Sequence, residues 1–169
     1  SRELAKHLSG WRIIGTTRSA GKAEIYKTDG LEPLIWPGED PATAISEATH
    51  LLLSIAPEED GDPVFNAYAE LISAAPNLEW VGYLSTTGVY GDHAGGWVDE
   101  NSLLQPSTKR GKMRVKAETQ WQSLNLPLHI FRLAGIYGPG RGPFAKVRKG
   151  TARRIIKQGQ VFSRTHVED

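Results

Sequence analysis

Tyr83-Leu84-Ser85-Thr86-Thr87-Gly88-Val89-Tyr90-Gly91-Asp92 is the stretch on which the reading of this chain turns. The apolar run Trp80 to Leu84 reads as a buried strand, and small hydroxyl residues come where that strand should end. In an open α/β sheet, ligands bind in the crevice beyond the carboxyl ends of the strands. Ser85, Thr86 and Thr87 are therefore expected to turn hydroxyls toward a site, with Gly88 letting the backbone approach a ligand. The same residues also suit a Ser/Thr-rich turn that only closes a core strand.

Working outward, strand and helix signals alternate. Strand candidates are Trp11 to Thr16, Glu32 to Trp36, Thr49 to Ile55, Glu79 to Ser85 and Pro127 to Leu133. The third is nearly all apolar, the pattern of a parallel strand covered on both faces. Helices are expected over Ser1 to Leu8, from Asp62-Pro63 to just before Pro76, and from a cap at Ser107 or Thr108 to about Leu124. Alternation of this kind implies βαβ crossovers and a parallel sheet. The fold class is α/β, a Rossmann-type doubly wound parallel sheet.

Such a sheet begins with a strand and a Gly-rich turn whose helix holds a pyrophosphate. This sequence opens on a helix and has no G-x-G-x-x-G turn; Gly138-Pro139-Gly140-Arg141-Gly142 follows the fifth strand and contains proline. The expectation is a fragment whose first strand and Gly-rich turn precede Ser1 and whose C-terminal part follows Asp169. Within it, 1–140 forms a partial dinucleotide-binding domain and 141–169 the start of a substrate-binding region.

The 169 residues suffice for a domain with a core. They include no cysteine, which excludes disulfides, thiolate metal sites and a cysteine nucleophile within them and agrees with a cytoplasmic location. No apolar run is long enough to span a bilayer as a helix. Charge is uneven: residues 1–140 carry 12 Lys/Arg and 17 Asp/Glu, whereas 141–169 carry 8 Lys/Arg and 2 Asp/Glu. The basic end suits an anion such as a nucleotide diphosphate, or is simply a solvated surface. Aromatic residues are barely interleaved with it, so nucleic acid is not the expected partner. The five histidines are scattered, none at metal-ligand spacing on a helix, and no metal site is expected. His129, inside an apolar strand, reads as a core histidine.

The chain resembles the extended or atypical short-chain dehydrogenase/reductase superfamily, in particular NAD-dependent epimerase/dehydratase-like proteins. The resemblance rests on Leu84-Ser-Thr-Thr-Gly-Val-Tyr-Gly91, on Arg132-Leu-Ala-Gly-Ile-Tyr-Gly-Pro-Gly140, on His166-Val-Glu-Asp169 and on Gly15-Thr-Thr-Arg18. It implies that Thr86 is the catalytic hydroxyl that hydrogen-bonds the substrate oxygen. It places Thr16, Thr17 and Arg18 at the adenosine ribose, where NAD-preferring members carry an acid; a guanidinium with hydroxyls suits a 2′-phosphate, so NADP is expected over NAD. It further implies that Ser54, Ile55, Ala56 and Pro57 line the adenine and ribose side, and that Ala134, Gly135 and Ile136 flank the nicotinamide. The expected partner is a small molecule, with a nucleotide sugar fitting best, near Thr87, Tyr90, Arg141 and Arg164; a homodimer is left open.

One departure matters. Such proteins use Y-x-x-x-K, and aligning Lys116-Ala117-Glu118 with their K-A-E puts Lys112 at the tyrosine position. Lys116 remains and the tyrosine is gone. Three readings follow. Lys112 is the base, its pKa depressed by burial and a like charge; or Tyr90 or Tyr137 supplies the phenol; or the site binds a dinucleotide without redox turnover.

Overall fold

The computed structural model describes residues 2–154, 156, 159 and 161–169. It falls into two compact units, one of residues 1–49 and 70–78, the other of residues 50–69 and 79–169. Every strand ladder is parallel.

The first unit holds α1 (Arg2–His7), β1 (Ile14–Thr17), α2 (Ala20–Thr28), β2 (Glu32–Ile35) and α3 (Ala42–Glu47). β1 pairs with β2 from Ile14 opposite Glu32 to Thr17 opposite Ile35. Ser19 caps α2, its hydroxyl accepting the Lys22 N–H at 3.2 Å. The sequence pattern did not signal α2 or α3. The reason is weak amphipathicity: α2 buries only Ala23 and α3 only Ile45.

The second unit is built on β3 (His50–Leu53), β4 (Trp80–Thr86) and β5 (Leu128–Leu133), in the order β3-β4-β5. α4 (Pro63–Ser73) begins here. Asp62 caps it, one carboxylate oxygen accepting the Val64 and Phe65 N–H groups at 2.9 and 3.1 Å. α5 (Lys109–Gln122) is capped by Thr108, not Ser107, through the Gly111 N–H at 3.0 Å. Trp121 of α5 is fully buried and meets Phe65 edge-on at 5.2 Å. A short parallel pair, β6 (Gly135–Tyr137) and β7 (Arg164–His166), follows, with α6 (Pro143–Arg148) between them in sequence.

Alternation along β4 explains the core. Val81, Tyr83 and Ser85 point to the face that α5 packs on, and all three are buried. The opposite face corrects two expectations. β3 is not covered on both faces: Leu52 is 44% exposed. His129 is not a core residue; it is exposed and stacks on Trp80 at 5.8 Å, as does His50 at 6.1 Å. Trp80 can lie along this face because Gly82 has no side chain; a Cβ there would run into the indole. Thus an apolar strand sequence does not guarantee two covering layers.

Candidate functional site

The hydroxyls at the carboxyl end of β4 are not equivalent. Ser85 is buried and its hydroxyl donates to Glu118 Oε1 at 2.5 Å, which turns it into the core. Thr86 points the other way, and its oxygen accepts the Gly88 N–H at 3.2 Å, leaving its own O–H to donate elsewhere. Thr87 opens a single 3₁₀ turn, Thr87–Val89, which the Tyr90 N–H closes on the Thr87 carbonyl at 3.1 Å. The first turn of α5 lies against this bend: a Cβ on Gly111 would sit 2.8 Å from the Gly88 carbonyl oxygen.

Behind the bend is a buried polar network. Glu118 is 1% exposed. Arg132 clasps it through Nε at 3.2 Å and Nη2 at 2.9 Å, both to Oε2. Arg132 Nη1 also donates to the Tyr90 hydroxyl at 3.1 Å and the Glu100 carbonyl at 3.3 Å. The hydrogen bonds it donates to Glu118 hold the guanidinium above its usual pKa. One turn earlier on α5, Arg114 Nη1 donates to the Tyr83 hydroxyl and the Leu84 carbonyl, both at 2.9 Å. Burial raises the Tyr83 pKa, and Arg114 opposes that rise. Burial also raises the Asp62 pKa against its two cap hydrogen bonds. The Trp121 indole N–H faces this carboxylate without closing a hydrogen bond of ordinary geometry.

The two lysines of α5 lie elsewhere. Lys112 is exposed rather than buried, contrary to the expectation of a buried base. Lys116 is exposed and donates to the Glu59 carbonyl at 3.0 Å, while Lys109 pairs with the Glu59 carboxylate. The basic residue that α5 sends onto β4 is Arg114. Ser54 and Ala56, after β3, are exposed; Ile55 is half-buried and Pro57 buried. Ala134 and Ile136 are half-buried, and Arg164 lies against Gly135 and over the Phe162 ring at 5.3 Å. Arg141 is exposed beyond β6. In the first unit, Thr16 and Arg18 are exposed at the end of β1, and Arg18 makes no side-chain hydrogen bond among the described residues. Thr17 turns inward, 8% exposed, and accepts the Ser19 N–H at 3.3 Å.

Glu118, Arg132 and Arg114 were not singled out from sequence as a network. One signal was there: Arg132 is the single charged residue in the apolar strand Leu128–Leu133, and a buried charge needs a partner. A cleft of about 600 Å³ opens beside Arg132, lined by Leu124, Leu126, Leu128 and Ile130, but neither Thr86 nor either lysine borders it. Among the described residues no group of His, Asp and Glu could hold a metal ion, and no helix is long and apolar enough to cross a membrane.

No protein-family model matches the chain. Protein YeeZ of Escherichia coli K12 is 31% identical over 157 residues, covering 83% of this chain and 56% of YeeZ. The solved structure of a functionally unknown conserved protein from Silicibacter pomeroyi is 60% identical, with a TM-score of 0.89, and covers 99% of this chain and 58% of its own. The chain therefore spans somewhat more than half the length of these relatives. UDP-glucuronic acid 4-epimerase from Bacillus cereus, solved with NAD, is 16% identical with a TM-score of 0.68 over 88% of this chain and 57% of its own. A putative NAD-dependent epimerase/dehydratase from Methylobacillus flagellatus is 22% identical with a TM-score of 0.60 over 97% and 60%.

Proposed function

We propose, for a chain that has the fold of the extended short-chain dehydrogenase/reductases, a protein that binds a nicotinamide dinucleotide and acts on a small hydroxyl-bearing molecule, with a nucleotide sugar the best fit. The observation that carries this reading is the polarity of the strand ends. At β1, Thr16 and Arg18 are exposed and the guanidinium is unbonded among the described residues. A guanidinium between hydroxyls suits the 2′-phosphate of NADP better than the bare ribose of NAD. Residues 1–140 are the dinucleotide-binding part and 141–169 begin the substrate-binding part, where Arg141 and Arg164 supply cations for a diphosphate.

The residues at β4 fit the reacting end of such a ligand. Thr86 keeps a hydroxyl hydrogen to donate to a substrate oxygen, with Thr87 next to it, whereas Tyr90 is buried and its hydroxyl accepts from Arg132. Ser54 to Pro57 and Ala134 to Ile136 supply the walls at the ends of β3 and β5. The bound dinucleotide would supply hydride transfer; the chain's own groups bind, orient and move a proton. Lys112 and Lys116 are the candidates for that proton. The exposure of Lys112 favours a second reading, in which the dinucleotide is held without turnover.

Calorimetric titration of the full-length protein with NADPH and NADH tests the first reading. NADPH should bind more tightly, and Arg18→Ala should weaken NADPH by about tenfold or more while barely touching NADH, since a hydrogen bond to a charged group contributes about 1.5–3 kcal/mol. Equal loss for both cofactors would remove the 2′-phosphate assignment, and no binding of either would remove the dinucleotide. Turnover that survives Lys112→Ala and Lys116→Ala would take the proton away from both lysines.

A further inference from the structure

We propose that Glu118 and Arg132 are positioning residues for the end of β4, an inference that rests on the site proposed above and says how it is held. Glu118 and Arg132 connect four segments. Ser85 donates to Glu118 at 2.5 Å, so the end of β4 is fixed to α5. Arg132, on β5, clasps the same carboxylate and donates to the Tyr90 hydroxyl and the Glu100 carbonyl. Its guanidinium also stands over the Tyr90 ring, 5.1 Å from the centroid. The bend after Thr86 and the segment at Glu100 thus hang on one cation.

The sorting of hydroxyls follows from this arrangement. Glu118 takes the Ser85 proton into the core, so adjacent Thr86 is the hydroxyl left to donate at the strand end. Stability alone is a weak reason to bury such a pair. Desolvation offsets most of the attraction between buried charges, and apolar replacements of similar volume are often tolerated, whereas removing one partner is costly. Geometry is what an apolar replacement cannot supply, because it has no directional bond to Ser85, Tyr90 or Glu100. A site needs its groups held to within about half an ångström.

That difference separates a positioning role from a structural one. Glu118→Gln leaves the guanidinium without its counter-charge and should lower Tm. The triple variant Ser85→Ala/Glu118→Leu/Arg132→Met removes the whole network and should recover most of that Tm. The triple variant should still exchange amide hydrogens faster over residues 86–105 than the wild type, with α5 protected as before. It should also bind NADPH about tenfold or more weakly. Unchanged exchange over 86–105 in the triple variant, or NADPH affinity that simply follows Tm across the variants, would overturn the proposal. Should the triple variant not fold, Arg132→Lys carries the test. Its point charge can keep Glu118 but cannot reach Tyr90 and Glu100 together, and wild-type exchange over 86–105 would count against the proposal equally. Failure of the wild type to bind NADPH would remove the dinucleotide while the exchange measurement still decides the positioning role.

Discussion

The two units handle charge in opposite ways. In the first, Arg12 pairs with Glu32 at 2.9 Å and Glu47 at 2.6 Å, with all three side chains more than half exposed. In the second, Asp62 and Glu118 are each 1% exposed and sit beside the large buried side chains Tyr83 and Trp121. Solvent screens an exposed pair until it contributes little, whereas a buried charge must be matched group for group. The first unit is held by aliphatic side chains, Ala23, Leu31, Ile45 and Ile72 among them, with a charged fringe. The second is held by aromatic packing and constrained by hydrogen bonds that permit one arrangement.

The contrast predicts where the molecule breaks hardest. Trp121→Ala empties a fully buried site against Phe65 and should cost about 3–5 kcal/mol, read by urea unfolding. A loss below about 1 kcal/mol would mean that the aromatic core does not carry this unit. Next comes Gly91→Ala. Gly91 has φ of +78°, and a Cβ would meet the Gln105 carbonyl. The backbone conformation alone costs roughly 1–3 kcal/mol for a residue with a Cβ, so this variant should melt earlier and loosen the segment that Arg132 holds through Glu100.

These positions show what the sequence could and could not reveal. Strand positions were readable because apolar runs and breakers are local: β4 and β5 lie within one residue of expectation, and Thr108 and Asp62 cap the helices where their types and spacing indicated. Exposure of Leu52 and His129 was not readable, because it depends on what covers the sheet rather than on the strand itself. Ser85 and Thr86 are neighbours of the same chemical type. The pleat puts them on opposite faces, but which face is the core depends on the packing of α5, whose Glu118 lies 33 positions away from Ser85. The spacing Lys112 to Lys116 was visible, but the helix turns Arg114 and Glu118 to the sheet instead.

Asp62 sharpens the comparison through pH. Burial raises its pKa in the folded state above the ordinary carboxylate value. Between the unfolded and the raised folded pKa, the folded state binds more protons, so this group's contribution to stability grows as pH falls through that window and is least favourable at neutral pH. Asparagine caps a helix as well as aspartate. Asp62→Asn should therefore keep α4, match or exceed the wild type at pH 7 and lose that advantage on acidification, as unfolding at several pH values would reveal. A variant less stable at pH 7 by more than about 1 kcal/mol would instead assign the ionised carboxylate a net stabilising role, through Trp121 and Arg114.

The smallest effect belongs to Arg12, and its smallness carries information. Hydrogen bonds from Arg12 lower the Glu32 pKa. A lowered carboxylate contributes stability above its unfolded pKa and loses it as pH falls through the folded one, the reverse of Asp62. Asp62 and Glu32 should therefore respond to acid with opposite signs, but the Arg12 contribution comes from exposed groups and is screened by salt. Arg12→Ala should shift Tm only slightly at low salt and less at high salt, with the acid side of the profile flattened. If its Tm loss approached that of Trp121→Ala and resisted salt, the charged fringe would be a structural element of the first unit. The division between a unit held by packing with a screened rim and a unit constrained by buried charge would then be wrong.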